Sequence, residues 1–270
     1  MEIIRNLDDI KNIKQNKLLG NPELYNSTIT FKGKNNILFC ENNVNITNST
    51  ISFEASNSLI YLSSTQNNSY SLKLVIYNNS TFFIGEDNNL ATPIFINIQE
   101  NQNVIIGGDG CISTSVRIRT SDVHPIYDGD SKLRVNHAGS IFIGDHVLLG
   151  HLCYISRGVK IGSGAVVENF SFVSPNDIIA SNTLVSGSPA TLERDNVFFT
   201  KNYVNHYTPE DSLASNQYKS NIFMFDAINQ ETLDLDKIDE ILKSLDVYSR
   251  LDFIQKLFVK TKRKNRFVIK

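Results

Sequence analysis

The segment IFIGDHVLLGHLCYISRGVKIGSGAVVENFSFVSPNDIIASNTLVSGSP, residues 141–189, decides the fold because it repeats every six residues. Steps of six from Ile143 reach Leu149, Ile155, Ile161, Val167, Val173, Ile179 and Val185, all of them aliphatic. Two positions before these stand Ile141, Val147, Cys153, Val159, Ala165, Ser171, Asp177 and Thr183, mostly small or β-branched until the polar residues near the end. A period of six is not a multiple of 3.6, so on a helix it would smear the apolar residues around the axis. Short strands joined by tight turns accommodate it. Each strand points two side chains inward, and Gly144, Gly150 and Gly162, with Ser156 and Ser174 in equivalent places, serve the bends. One coil cannot bury its own inner face, whereas stacked coils build a continuous apolar column, which is the logic of a β-solenoid.

The rhythm extends backward. Ile106, Ile112 and Ile118 keep the step, with Val104, Gly110 and Val116 two positions earlier. Residues 120–139, TSDVHPIYDGDSKLRVNHAG, then break it with Pro125, two glycines and many polar groups. That composition predicts a loop thrown out of the coil, a common place for chemistry on a rigid scaffold. From Phe31 to about Leu90 the pairs Ile37/Phe39, Val44/Ile46, Ile51/Phe53, Ile60/Leu62, Leu74/Ile76 and Phe82/Ile84 recur among Asn and Ser at spacings of seven to nine. These read as irregular coils of the same solenoid, with Asn taking the left-handed turns; a separate small β-domain is the alternative.

Beyond Pro189 the repeat ends. Residues 190–228 read as an irregular connection carrying Phe198, Phe199, Tyr203 and Tyr207. Leu235, Ile238, Ile241, Leu242 and Leu245, then Leu251, Ile254, Leu257 and Phe258, follow helical spacing and predict two amphipathic helices split near Asp246 to Ser249. The ending Lys260, Lys262, Arg263, Lys264, Arg266 and Lys270 reads as a solvated basic tail, or as a contact for an anionic polysaccharide or phosphate. The expected organisation is a lead-in at 1–30, a β-helix at 31–189 with its loop at 120–139, the connection at 190–228, and helices plus tail at 229–270.

Composition narrows the function classes. A net charge of −2 gives no global reason to bind nucleic acid or an acidic membrane. Cys40, Cys111 and Cys153 are odd in number and widely separated, and read as reduced core thiols. The start MEIIRNLDDIKN has no long apolar segment, so the expectation is a cytoplasmic protein with neither signal peptide nor membrane span. No His, Cys or Asp spacing suggests a metal site, and neither a P-loop nor a Rossmann glycine pattern is present.

The phrase Ile118-Arg119-Thr120-Ser121-Asp122-Val123-His124-Pro125-Ile126 is the most informative short motif. It resembles the loop of hexapeptide-repeat O-acetyltransferases that act on sugars. Ile143-Gly144-Asp145-His146-Val147-Leu148-Leu149-Gly150 resembles the phrase that follows that loop, and Gly187-Ser188-Pro189-Ala190 its closing motif. The resemblance covers roughly residues 104–195. It implies a left-handed parallel β-helix, mainly β, with irregular N-terminal coils and a small α-helical C-terminal appendage. It also implies acetyl-CoA as co-substrate, a carbohydrate acceptor, and a homotrimer with sites between neighbouring prisms. His124 matches the general base.

Chemically, an alcohol is a poor nucleophile until its proton is being removed, and a His is suited to that task near neutral pH. Arg119 and Asp122 are candidates to order the loop, and Tyr127, Arg134 and His137 to touch the acceptor. The resemblance also implies coenzyme packed along the turns near Gly150, Asn169 and Ser174. Leu148 stands where many sugar acetyltransferases carry Trp, and Pro175 where they carry Lys, which leaves Lys160 and Arg194 as candidate cations for coenzyme phosphates. His146 and His151 fall in turns, where surface hydrogen bonding suffices. A capsular or lipopolysaccharide sugar is the expected acceptor. N-acetylation of a nucleotide-linked amino sugar and a non-catalytic β-helix scaffold or carbohydrate-binding module remain open alternatives.

Overall fold

Each coil of the chain turns three corners, and successive coils hydrogen-bond edge to edge into parallel sheets on three faces, the third face divided into a three-stranded and a six-stranded sheet, a left-handed β-helix of triangular section. The computed structural model describes residues 1–65, 69–91, 93–227 and 232–270. One column of side chains shows the stacking. Ile29, Ile51, Leu74, Ile96, Ile118, Ile155 and Val173 sit in register on the first face. All are buried, and burying a side chain of this size contributes roughly 1.5–3 kcal/mol.

The register also explains the uneven spacing of the N-terminal pairs. The chain advances 22 residues from Ile29 to Ile51 and from Leu74 to Ile96, but 18 from Ile155 to Val173. The N-terminal coils are therefore regular but larger. Asn35, Asn57, Asn79 and Asn101, each 22 residues from the next, adopt left-handed φ of 56°, 61°, 49° and 56° at one corner. The step from Ile118 to Ile155 spans 37 residues because residues 120–139 leave the coil. Glu2–Ile4 pairs antiparallel with Thr28–Phe31 to close one end of the first face, and Ala190–Arg194 folds back on Leu184–Gly187 to close the third.

One apolar pair points the wrong way for the column. Leu38 and Cys40, not Ile37 and Phe39, enter it, and a one-residue phase change puts the aromatic on the outside. The second face carries such residues on its outer surface: Ile37, Leu59, Tyr61, Phe83, Ile105 and Phe142. The C-terminal helices cover them. After a short α1 (Pro209–Ala214), α2 (Leu235–Ser244) and α3 (Val247–Ile254) begin at Asp234 and Asp246, whose carboxylates accept main-chain N–H groups of the first turn. Leu235, Ile238, Leu242, Val247 and Ile254 fill the layer against the prism. Arg250, 1% exposed, donates from Nε to Leu242 O at 2.8 Å and from a terminal nitrogen to Asn57 O at 2.7 Å. It thereby satisfies a carbonyl in the last turn of α2 and ties it to a coil corner.

The expected solvated tail is found in part: Lys260, Lys262, Arg263, Lys264 and Lys270 are exposed, but the stretch between them is docked. Asn265, Arg266, Phe267 and Val268 are buried, with Phe267 in the helical layer. Arg266 forks onto Asp145 at 2.8 Å to both oxygens. The apolar Phe267 and Val268 draw the chain back onto the prism, and the guanidinium follows to a carboxylate.

Candidate active site

The loop at 120–139 leaves the corner between the first and second faces through a closed neck. Gly139 N donates to Thr120 O at 3.0 Å, and the buried Thr120 hydroxyl accepts from Gln99 N at 2.8 Å. Beyond the neck the loop forms a small hairpin. Val135 N donates to Ile126 O at 2.8 Å, Asp128 N to Leu133 O at 2.9 Å, and the Asp128 carboxylate accepts three bonds within the turn. Polar side chains, not apolar packing, decide this conformation. Val123, Ile126, Tyr127, Leu133 and Val135 are each more than half exposed.

His124 lies exposed on this loop, and its ring makes no hydrogen bond to any described residue. Its main chain is held instead. Asn136, 2% exposed, donates to His124 O and to Asp122 Oδ2, each at 2.9 Å, and accepts from Ile126 N at 2.7 Å. Asp122 also accepts from Arg157 Nε at 3.2 Å. Burial pushes the Asp122 carboxyl up, but the bonds from Asn136 and Arg157 outweigh it and hold the group below the usual carboxylate range. Arg134 grips Glu100 with two nitrogens at 2.7 and 2.8 Å. That fork, chiefly, brings the Glu100 carboxyl down to about 2.

Of the residues singled out by sequence, Asp122 accepts hydrogen bonds from Asn136 in the loop and from Arg157 on the coil. Arg134 is an anchor to Glu100 on the coil beneath. Tyr127 and His137 are exposed beside it. Arg119 is half-buried at the strand end, with a buried Nε that has no hydrogen-bond partner. The coenzyme candidates lie elsewhere. Ser174 shares the corner of the His124 loop, two coils along. Gly150 and Asn169 occupy the corner between the third and first faces, stacked so closely that a Cβ on Gly150 would meet Asn169 N at 2.5 Å. Leu148 faces outward from the third face, and Arg194 is exposed on the closing hairpin. Lys160 is on the second face, where its Nζ pairs with Asp236 of α2 at 2.6 Å, so the helical layer takes the cation that sequence had offered to coenzyme. One chain thus distributes the candidates over two corners and two faces.

Two things escaped the sequence reading. Asn136 had no pattern to mark it. The other is the corner around His146, which is not a surface turn residue. It is 1% exposed, with its ring between Phe199 and Phe223 at centroid distances of 4.2 and 4.1 Å. Nδ1 lies 2.8 Å from the Asp109 carboxylate and Nε2 3.0 Å from Phe199 O. Lys201 also reaches Asp109, at 2.5 Å. The aromatic residues of the 190–228 connection are what bury the imidazole. Asn182 pins that strap by bonds to Val197 O, Phe223 O and Phe225 N. The same strap lays Phe199 and Tyr203 beside Leu148 and Cys111 in a cavity of about 280 Å³, an aromatic wall where Leu148 supplies none.

Burial pushes the thiols of Cys40, Cys111 and Cys153 up, which makes them poor nucleophiles. Among the described residues no group of three His, Cys, Asp or Glu comes together as a metal site, and no helix is long and apolar enough to cross a membrane.

No family model matches the chain. Among solved structures, the chain resembles the polysialic acid-specific acetyltransferase NeuO at 26% identity, covering 74% of this chain and 95% of that one, with a TM-score of 0.61. It also resembles the polysialic acid O-acetyltransferase OatWY at 22% identity, covering 75% and 98%, with a TM-score of 0.56. A curated relative, the UDP-3-O-acylglucosamine N-acyltransferase of Maricaulis maris strain MCS10, is 36% identical over 55 residues. That match spans 19% of this chain and 16% of the relative's length. The likeness to hexapeptide-repeat acetyltransferases read from residues 104–195 is thus joined by a structural likeness over about three quarters of the chain.

Proposed function

We propose that this chain is an acetyl-CoA-dependent O-acetyltransferase acting on a carbohydrate hydroxyl, with His124 as its general base. The observation that carries the reading is an exposed imidazole on a polar loop whose main chain is fixed from both sides of it. A free ring nitrogen accepts the hydroxyl proton as the oxygen attacks the thioester carbonyl. The tetrahedral adduct then expels the coenzyme thiolate, which takes up that proton, so no acyl-enzyme is needed. A main-chain N–H at a turn is the donor suited to the oxyanion.

A homotrimer fits two features. The loop exposes five large apolar side chains that a neighbouring prism would cover, and the coenzyme candidates Gly150 and Asn169 sit on a different corner from His124. In that arrangement Leu148, Gly150, Asn169, Ser174 and Arg194 line the coenzyme path, with Phe199 and Tyr203 as its aromatic wall. Arg119, Tyr127 and His137 face the acceptor. A capsular or lipopolysaccharide sugar handled in the cytoplasm is the acceptor class. The two polysialic acid enzymes make oligosialic acid the first acceptor to try.

The test is thiol release from acetyl-CoA with oligosialic acid and neutral polysaccharides, alongside His124→Ala. Turnover should fall by roughly two to four orders of magnitude, the span of general-base catalysis, with the fold intact. A parental rate in His124→Ala refutes the base. The short match to an N-acyltransferase favours a second reading, transfer to a sugar amine. An ester labile to mild base supports O-transfer, whereas loss of a free amine supports the second reading.

A further inference from the structure

The Asn136 side chain makes every hydrogen bond an amide can make, and it makes them around His124. Both N–H groups are used, on Asp122 Oδ2 and His124 O, each at 2.9 Å. Its oxygen accepts from Ile126 N at 2.7 Å and from Arg134 Nε at 3.3 Å. The residue is 2% exposed although the loop around it is open to solvent. Its own carbonyl accepts from Arg134 at 3.0 Å, and Arg134 is forked onto Glu100. The three residues 124–126 are thus clamped at both ends by one side chain, and Pro125 fixes φ between them.

We infer that Asn136 is a positioning residue, one that sets where the His124 imidazole stands by holding the main chain on each side of it. The inference rests on the reading of His124 as base. The ring has no hydrogen-bonded partner among the described residues, so the attachment of its backbone is what decides its place. A base must lie within hydrogen-bond reach of the proton it removes, and a displacement of about 1 Å costs on the order of 10²-fold in rate.

The donor and acceptor roles are specific. Asp at this position keeps the acceptor for Ile126 N but presents a carboxylate to the Asp122 carboxylate and the His124 carbonyl, so Asn136→Asp should do no better than Asn136→Ala. In the full-length chain, with acetyl-CoA and oligosialic acid, Asn136→Ala should lower kcat by about 10- to 100-fold. KM for acetyl-CoA and the melting temperature should hold, because the loop lies outside the apolar column. The deciding comparison uses the His124→Ala background. There the same substitution should cost less than twofold, since a residue that acts through the imidazole has nothing left to position.

An equal loss in both backgrounds, or a parental rate in Asn136→Ala, overturns the inference while leaving the base in place. A parental rate in His124→Ala overturns the base and this inference together. A measurement independent of the acceptor is amide hydrogen exchange. The Ile126 amide, whose N–H the Asn136 oxygen accepts, should exchange at least tenfold faster in Asn136→Ala, with the coils unchanged. Unchanged exchange there, whatever the activity, sinks the proposal.

Discussion

His146→Ala should be one of the more damaging single substitutions outside the apolar column, although in sequence His146 looks like a residue of an exposed turn. The imidazole loses a bond to the Asp109 carboxylate and one to Phe199 O, at 2.8 and 3.0 Å. Bonds of these two kinds contribute about 1.5–3 and about 1 kcal/mol respectively. Two stacked rings at 4.2 and 4.1 Å add about 0.5–1.5 kcal/mol each beyond their buried area. These contributions overlap, so the expected loss is about 3–5 kcal/mol. It is bounded above by the cost of detaching the strap at 197–225 while the solenoid stays folded. Two measurements separate local from global loss: the melting temperature, and the rate of proteolytic cleavage within 197–227. His151→Ala is the control. Among the described residues its ring meets the exposed Phe170 edge-on and makes no side-chain hydrogen bond, so the variant should stay within about 0.5 kcal/mol of the parent. A His146→Ala protein with a melting temperature within a degree of the parent and unchanged cleavage would refute the stacked, buried imidazole.

Arg250→Met should loosen the helical layer by about 2–4 kcal/mol. It strands Leu242 O and Asn57 O in a buried site, and faster hydrogen exchange in α2 and α3 than in the coils would report it. The grip of Arg134 on Glu100 sets a pH window for the loop. Glu100 titrates at about 2 when folded against an ordinary value of 4.5, so its contribution is complete above about pH 4.5 and is lost as pH falls toward 2. Exchange at residues 120–139 should therefore be flat from pH 7 to 5, after correction for intrinsic rates, and should rise below 4.5; a rise already at pH 6 would contradict the pairing.

What was legible in the sequence divides by physical cause. The column was legible because each coil spends its apolar residues at fixed intervals, so Ile143 through Val185 announce a solenoid on their own. The N-terminal coils blurred because their strands are longer, three or four residues in Thr28–Phe31, Ile37–Cys40 and Asn45–Thr47 against two in Tyr154–Ile155, Lys160–Ile161 and Val166–Val167, which lengthens the period while Ile29, Ile51 and Leu74 stay in register. His124 stood out through its polar loop and its neighbours in sequence. Asn136 and His146 did not, because what defines them is distant or aperiodic. Asn136 gathers Asp122 and Ile126 from across a hairpin, and His146 meets Phe199 and Phe223 from a segment with no repeat. The tail was legible in part for a related reason. Five of its six cations are exposed, while Phe267 and Val268, with no repeat to mark them, hold residues 265–268 on the prism.

With coils of 18 residues, positions 18 or 19 apart stack on the same corner or face, and positions six apart fall on successive ones. Gly150 and Asn169 obey this, as do Ser156 and Ser174, and Lys160 stacks under Phe142 on the face that the helices cover. By the same arithmetic Gly150 stands one corner away from the neck of the His124 loop. A rigid prism has no means of folding one corner onto the next. If the exposed imidazole and the Gly150–Asn169 corner serve one reaction, the corner must come from another copy. A subunit-mixing experiment tests this: His124→Ala chains combined with chains carrying Asn169→Trp, which blocks the same corner from an exposed position, should regain part of the activity that each lacks alone. Restored turnover requires sites shared between chains, and none at any mixing ratio would mean that each chain completes its own.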